Sequence, residues 1–426
     1  MKVNINNKGE SRLPDWLLSE VDHNYLLASL LWERGLRKKK EVKQFLDYKK
    51  YTPTKADEFP GMEKAVMKIL DTIDKNKKIC IYGDYDVDGI TSTAILLSFF
   101  KKIGAEVSYH LPDRFEEGYG MNKKVINELK DDIDLILTCD CGISNYEEIE
   151  YARNLGMEVI VTDHHDLPKK MPPADVILTP KLLAEKHQAF NLPGAGMAYY
   201  LVKGILKYIQ QNQQYQKYIA VNIKSEDFLD LLALAIVAAV VPLRKENRFL
   251  LQKGLDYLAD TDRIGLKKLF EVAGIDTDIL TEEDIGFRLG PILNAAGRME
   301  TADIALETLL ADEEIEAEKL ARKMLNINEE RKELQKKLIE EAEELLKQNF
   351  NLENKNSNKA IILYQPHWHE GLLGIAAGRL AEDYNLPVLL MGLKEEEDII
   401  NGSARSIPDI HINNMLKKVD KSLLKY

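Results

Sequence analysis

Three aspartates at alternate positions, Asp84, Asp86 and Asp88, lie in the stretch Ile81-Tyr-Gly-Asp-Tyr-Asp-Val-Asp-Gly89, between an apolar run (78–82) and a helix-compatible run (91–102). Like charges this close repel unless a proton or a cation intervenes. Clustered aspartate oxygens are also what hard divalent cations take as ligands. Taken alone, the stretch is equally compatible with an acidic surface turn. Two later stretches tip the balance. Leu135-Ile-Leu-Thr-Cys-Asp-Cys-Gly142 is an apolar strand ending in Asp140, and Val159-Ile-Val-Thr-Asp-His-His165 is another ending in Asp163, His164 and His165. Ligands of open parallel sheets gather at the carboxyl ends of the strands, so three such ends point to one metal site.

The elements that must position these residues follow from periodicity. Strands are expected near 78–82, 106–111, 133–139 and 157–162, with helices over 63–76, 91–103, 121–130 and 145–155. That alternation implies βαβ units and a parallel sheet, an α/β fold. The loop 110–120, punctuated by Pro112, Gly118 and Gly120, connects two of them. Pro193-Gly-Ala-Gly196 opens a further helix, whose free N–H groups can receive an anion, although a tight turn explains the glycines equally well. Residues 228–243 read as one buried helix ending at Pro242. Gly290 to Met299 is rich in small residues and contains Asn294 and Arg298; it suits a close approach to a ligand or a tightly packed helix junction.

Residues 313–348 form a long charged helix with a solvated exterior, and Asn351 to Asn358 reads as a polar linker. A second α/β unit then begins, with strands at 360–364 and 387–391 around a helix opened by Trp368-His-Glu-Gly371. Trp368 is expected to be buried. The expected organisation is a helical lead-in (1–60, anchored by Trp16 and Trp32), a catalytic region (61–312), a connecting helix (313–350) and a partial second domain (359–426).

Composition is consistent with an enzyme of this class. The 426 residues are 45% hydrophobic and 30% charged, enough for more than one core. No apolar run reaches the roughly 20 residues that cross a bilayer, and the first residues have no signal-peptide core, so a cytoplasmic location is expected. Cys80, Cys139 and Cys141 fall in or beside core strands and suit reduced thiols. The net charge of −12 argues against nucleic acid as a partner unless a local basic groove exists.

The runs DYDVDG, DCG and DHH, in this order, resemble the DHH phosphoesterase superfamily. Pro193-Gly-Ala-Gly-Met-Ala198, Gly290-Pro-Ile-Leu-Asn-Ala-Ala-Gly-Arg-Met299, Trp368-His-Glu-Gly-Leu-Leu-Gly-Ile375 and Gly402-Ser-Ala-Arg-Ser-Ile407 narrow the resemblance to the RecJ-type single-strand-specific exonucleases, from about Tyr51 onward.

The resemblance implies a DHH catalytic domain, a DHHA1-like accessory domain and two Mn²⁺ or Mg²⁺ ions hydrolysing phosphodiester bonds. Asp84 and Asp86 are then expected on one metal, Asp88 and His164 on the other, and Asp140 between them. His165 would touch the phosphate or assist proton transfer, with Asp163 orienting a histidine. Implied substrate contacts are Arg114, Gly194, Gly196, Asn294, Arg298, His369, Ser403, Arg405 and Ser406. The implied partner is single-stranded DNA, digested 5′→3′, with single-strand-binding protein or a helicase as further partners and no membrane.

Two departures stand out. RecJ-type sequences carry a metal-binding Asp where this chain has Ala239, which leaves an impaired nuclease acting as a DNA-binding scaffold, or a phosphoesterase of small substrates, as alternatives. Resembled sequences also continue past this chain's last residue with a Gly-Gly-His motif and an OB-type domain, so the chain is expected to be a fragment cut inside its second domain.

Overall fold

The apolar runs pair as expected. In a computed structural model, which describes residues 13–219, 223–349, 360–394, 399–408, 410, 412–416 and 418, five strands form one sheet in the order β2-β1-β3-β4-β5. They are β1 (Ile79–Tyr82), β2 (Val107–His110), β3 (Leu135–Cys139), β4 (Glu158–Thr162) and β5 (Val176–Leu178). All pairings are parallel. Central β1 and β3 are buried throughout, which is why they read as continuous apolar runs rather than alternating ones. Ile79, Ile81, Leu135 and Leu137 face one core, while Cys80, Tyr82 and Ile136 face another, as the period of two requires. The three cysteines are buried and unbridged.

Three short helices, α1 (Asp15–Glu20), α2 (Tyr25–Glu33) and α3 (Lys39–Leu46), lead in. They enclose a small core of their own around Leu17, Leu31 and Val42, with Trp16 and Trp32 packed on it. The connecting helices of the sheet are α4 (Met62–Asp74), α5 (Val87–Lys102), α6 (Lys123–Leu129) and α7 (Tyr146–Asn154). A helical layer follows: α8 (Gly194–Gln211), α9 (Leu229–Ala238), α10 (Lys245–Ala259), α11 (Ile264–Ala273), α12 (Glu282–Asp284), a π turn (Ile285–Leu289), α13 (Gly290–Met299) and α14 (Asp303–Leu310). The strand β5 had no clear signal, being three residues long.

The helix expected over 228–243 stops early. Pro242 supplies no N–H and disfavours helical geometry in Val241. The chain leaves α9 at Ala238, and Val240 takes a left-handed backbone with φ 53°.

The long helix α15 (Glu314–Asn349) spans 36 residues. It is less solvated than its charges suggest. Ala321, Met324 and Ile327 join the first core, whereas Leu338, Ile339, Ala342 and Leu346 join a second. Apolar residues three and four apart make one stripe, and that stripe is used twice along its length. The second core belongs to a three-stranded sheet, β6 (Ile361–Tyr364), β7 (Val388–Lys394) and β8 (Ile399–Arg405), with β7 and β8 antiparallel. It is covered by α16 (Glu370–Tyr384), and a short α17 (Ile412–Leu416) follows β8. Trp368 is buried, its indole N–H donating to Glu341 on α15 at 2.9 Å. The expected linker 351–358 and the chain's ends lie outside the described residues.

The two domains touch closely beside the sheet. A methyl group on Gly371 would lie 2.0 Å from the carbonyl oxygen of Arg298, and Lys394 Nζ donates to the carbonyl of Phe115 at 3.0 Å. Gly371→Ala must therefore push α16 away from α13, at a cost of about 1–3 kcal/mol. The expected result is a larger radius of gyration by solution X-ray scattering, with far-UV circular dichroism unchanged.

Candidate metal centre

The carboxyl ends of β1, β3 and β4 converge. After β1 the chain turns tightly at Gly83, where a Cβ would collide with Thr93. Asp86 caps α5, its Oδ1 accepting the N–H groups of Asp88 (2.9 Å) and Gly89 (3.2 Å), the ordinary role of aspartate at that position. Asp84 Oδ1 accepts from the Tyr85 amide at 2.8 Å. Asp140 follows β3 in a left-handed conformation, φ 63°. Asp163 follows β4. Its Oδ1 accepts from the backbone of His164 (2.6 Å) and His165 (3.0 Å) and lies 2.7 Å from His165 Nδ1, while Oδ2 accepts from Ile143 N at 2.9 Å.

Ligand-type atoms of Asp84, Asp86 and Asp140 all lie within 4.8 Å of one another, and so do those of Asp140, His164 and His165. Asp140 is common to both sets. Its Oδ1 is buried and accepts no hydrogen bond. His164 Nε2 stands 3.2 Å away, but not in hydrogen-bonding geometry. An unpartnered buried carboxylate oxygen is costly; here it faces a ring nitrogen and other carboxylates, the donor set of a hard divalent cation with a borderline preference.

The electrostatics agree. Burial, reinforced by Asp86, pushes the Asp84 carboxyl up to about 8 and that of Asp88 up to about 7. Burial and the neighbouring aspartates hold Asp140 well above the usual carboxylate range. Burial, reinforced by His165, pushes His164 down to about 4, so its ring is neutral and its nitrogen free to ligate. His165 goes the other way: the hydrogen bond to Asp163 raises it, against burial. Burial would raise Asp163, but the His165 hydrogen bond and charge outweigh it and hold the carboxyl low. The residues present therefore fit divalent cations.

Beside this anionic cluster runs a cationic margin. The Arg114 guanidinium stacks over the Tyr85 ring at 4.3 Å. Burial, then Arg114 and Arg331, press the Arg298 guanidinium down to about 10. Arg405 is lowered by burial and by Arg114. Among the described residues, none of Arg114, Arg298, Arg331 and Arg405 pairs with a carboxylate. Asp84 and Asp86 act on Arg114 and Arg298 from beyond ion-pair distance, and arginines held together without direct carboxylate partners make an anion site.

Comparison with known proteins fits this geometry. Residues 78–236 match the DHH family, N-terminal domain, and residues 357–423 the DHHA1 domain. The single-stranded-DNA-specific exonuclease RecJ of Bacillus subtilis is 36% identical over 394 residues, covering 92% of this chain and 48% of that protein. RecJ of Haemophilus influenzae is 35% identical over 404 residues, covering 94% of this chain and 69% of that protein. The chain belongs to the RecJ family.

It spans about half the length of the Bacillus relative and about two thirds of the Haemophilus one. Among solved structures, an exonuclease RecJ bound to manganese aligns with TM-score 0.74 at 32% identity, covering 86% of this chain and 87% of that one. RecJ from Thermus thermophilus in complex with Mn²⁺ aligns with TM-score 0.80 at 28% identity, covering 96% of this chain and 56% of that one.

Several expected roles change. Gly194 and Gly196 open α8, but the anion received there is the chain's own. Gly194 N donates to Asp88 Oδ2 at 2.8 Å and Ala195 N to Asp88 Oδ1 at 2.7 Å, and Gly196 N donates to Pro193 O at 3.0 Å. Gly194 is glycine because a Cβ there would sit 2.5 Å from Asp140 Oδ1, and Gly196 is packed against Leu192. Asp88, expected on a metal with His164, has both oxygens engaged by α8 while its Oδ2 stands 3.6 Å from His164 Nε2; it falls in neither of the two ligand sets, whereas His165 falls in one.

The side-chain oxygen of Asn294 accepts from Val87 N at 3.3 Å and so steadies the aspartate loop. His369 caps α16, accepting from Gly371 N at 3.2 Å, with its ring 5.7 Å from that of Phe115. Arg405 donates to Ser403 Oγ at 3.2 Å, while Ser406 Oγ accepts from Ile412 N at 3.0 Å, the first residue of α17. Two members of the site went unread. Tyr119 places its hydroxyl 3.2 Å from His165 Nδ1, within the loop 110–120. Arg331 sits inside the charged run of α15, where nothing distinguishes it from its neighbours.

The raised carboxyls have a consequence for stability. An acid whose pKa is raised on folding binds more protons folded than unfolded between its two values, so rising pH there favours unfolding. That window runs from the usual 3.8 to about 8 for Asp84 and to about 7 for Asp88. Metal-free protein should lose thermal stability across it. Added Mn²⁺ should raise the melting temperature little at pH 5 and strongly at pH 8, and Asp140→Asn should flatten that difference in differential scanning fluorimetry.

Proposed function

We propose that this chain carries the catalytic site of a divalent-metal-dependent exonuclease that hydrolyses phosphodiester bonds of single-stranded DNA, in the 5′→3′ direction implied by its family. The observation that supports it most is the unpartnered, buried Asp140 oxygen between two ligand sets, with four arginines at its margin that pair with no carboxylate among the described residues. Asp84, Asp86, Asp140 and His164 would hold the ions, with His165 at the edge of the second set. Manganese is bound by the RecJ structures of similar fold, and this oxygen-and-imidazole set suits Mn²⁺ or Mg²⁺. When bound, the ions supply Lewis acidity and offset charge building on the phosphoryl group.

The chain's own residues do the rest. Arg114, Arg298 and Arg405 bind phosphate oxygens, for which their forked donors are suited. His165 holds a proton on Nδ1 toward Asp163 and can move one at Nε2. Tyr119 steadies that ring, since its hydroxyl also lies 3.4 Å from the Asp140 carbonyl. In this role His165→Gln should lower kcat about 10²–10⁴-fold with manganese binding retained. Asp163 raises the His165 pKa, so Asp163→Asn should move the corresponding limb of the pH–rate profile toward lower pH.

Ala239 favours a second reading, an impaired nuclease that still binds its strand. The residue ends α9, and its methyl group ligates nothing. Asp230 does not substitute for the missing carboxylate. It is buried, accepting from Thr261 Oγ1 (2.7 Å) and Arg263 Nε (3.0 Å), and the same arginine reaches Ser98 at 3.1 Å. Ser98 lies ten residues beyond Asp88 on α5, about 15 Å along that helix. The test is Mn²⁺-dependent shortening of a 5′-labelled oligonucleotide by this chain and by Ala239→Asp, against duplex and dinucleotide controls. We expect slow digestion of single strands alone by this chain, and a gain of at least about tenfold in the variant. Equal digestion of duplex, or of dinucleotides only, overturns the exonuclease reading.

A further inference from the structure

Next to the aspartate loop lies a cavity of about 510 Å³ that shares Arg298 with the cationic margin and extends away from the carboxylate cluster. Asn294 and Arg298 line its inner end, and Arg331 adds a second guanidinium from α15. Its mouth carries two apolar side chains in full view of solvent, Val240 (86% exposed) and Phe287 (80% exposed). Each is presented by an unusual backbone. Val240 has φ 53°, where a β-branched residue is strained. Phe287 is the centre of the π turn Ile285–Leu289, a feature that clusters at functional sites. A protein that holds a valine outward on strained backbone and a phenylalanine outward on a π turn gains no core packing from either.

The cavity is apolar at the mouth and cationic at its inner end, and it begins where Asn294 touches the Val87 amide. Glu282 and Glu283 stand on its rim, so a phosphate is favoured at the arginine end and disfavoured at the other. We infer that this cavity is a nucleobase subsite: it takes the base of a nucleotide adjoining the scissile bond, stacked on Phe287 and edged by Val240, with that nucleotide's phosphate held by Arg298 and Arg331. A base has a flat face for the ring, and its phosphate complements two arginines that have no carboxylate partner among the described residues. Duplex DNA cannot offer an unstacked base to such a site, so the subsite selects for single strands. The inference rests on the exonuclease reading and names where the substrate's base goes.

The experiment measures binding by fluorescence anisotropy in Ca²⁺, using a 5′-phosphorylated oligothymidylate and a set of strands carrying one abasic position each. Wild type should lose about tenfold in affinity at one abasic position near the 5′ end. Phe287→Ala should lose a similar factor on the intact strand and nothing further on that abasic strand, while Phe287→Tyr should bind as wild type. Arg331→Gln should reduce the slope of log affinity against log salt by about one. Unchanged affinity in Phe287→Ala overturns the inference, as does a loss of equal size on intact and all abasic strands. A wild type that binds no oligonucleotide sinks the exonuclease reading itself, an outcome distinct from both.

Discussion

Mutual repulsion among buried carboxylates is the constraint on which the rest depends. Asp84, Asp88 and Asp140 are each no more than 3% exposed, and Asp86 stands beside them. Left ionised, such a cluster would drive the strand ends apart. The fold answers with helix N-termini as well as with cations. Asp86 caps α5, and both oxygens of Asp88 are taken by the first amides of α8. Two helices packed against each other thus point their positive ends at one loop. Asp140 has no such amide, and its buried Oδ1 is left without a hydrogen-bond partner.

That division of labour explains what was legible beforehand. The parallel sheet, and the convergence of the aspartates and His164 at its strand ends, were readable because each strand and the ligand types after it are contiguous in sequence. Roles that depend on distant partners were not. The Gly194 turn is an anion-binding helix start by its local chemistry, but its anion is Asp88, 106 residues away. His369 and Ser406 have the side chains of substrate contacts yet serve as helix caps, a use visible only when the next helix is in place. Arg331 was hidden by its surroundings, since one more charge in a charged helix carries no periodic signal.

A net charge of −12 does not conflict with a nucleic-acid substrate once the charges are located. Much of the acid near the site is buried carboxylate, neutralised by protons, amides or metal, and projects little field. The arginines are arranged at the edge, where a strand would meet them. Lys101–Asp312 and Lys102–Asp227 are ordinary exposed ion pairs at the far end of α5, and such pairs contribute little.

The arginines also show why one long helix matters. Arg114 comes from the loop after β2, Arg298 from α13, Arg331 from α15 and Arg405 from β8, so the cationic margin exists only where two domains meet. Because α15 is packed into both cores, its 36 residues act as a strut rather than a tether. The close approach of Gly371 to Arg298 sets the remaining distance. Guanidiniums from four elements cannot be brought together against their own repulsion by surface charge alone. The apolar stripe along α15 supplies the packing energy that holds them, and the same packing fixes the two domains beside the carboxylate cluster.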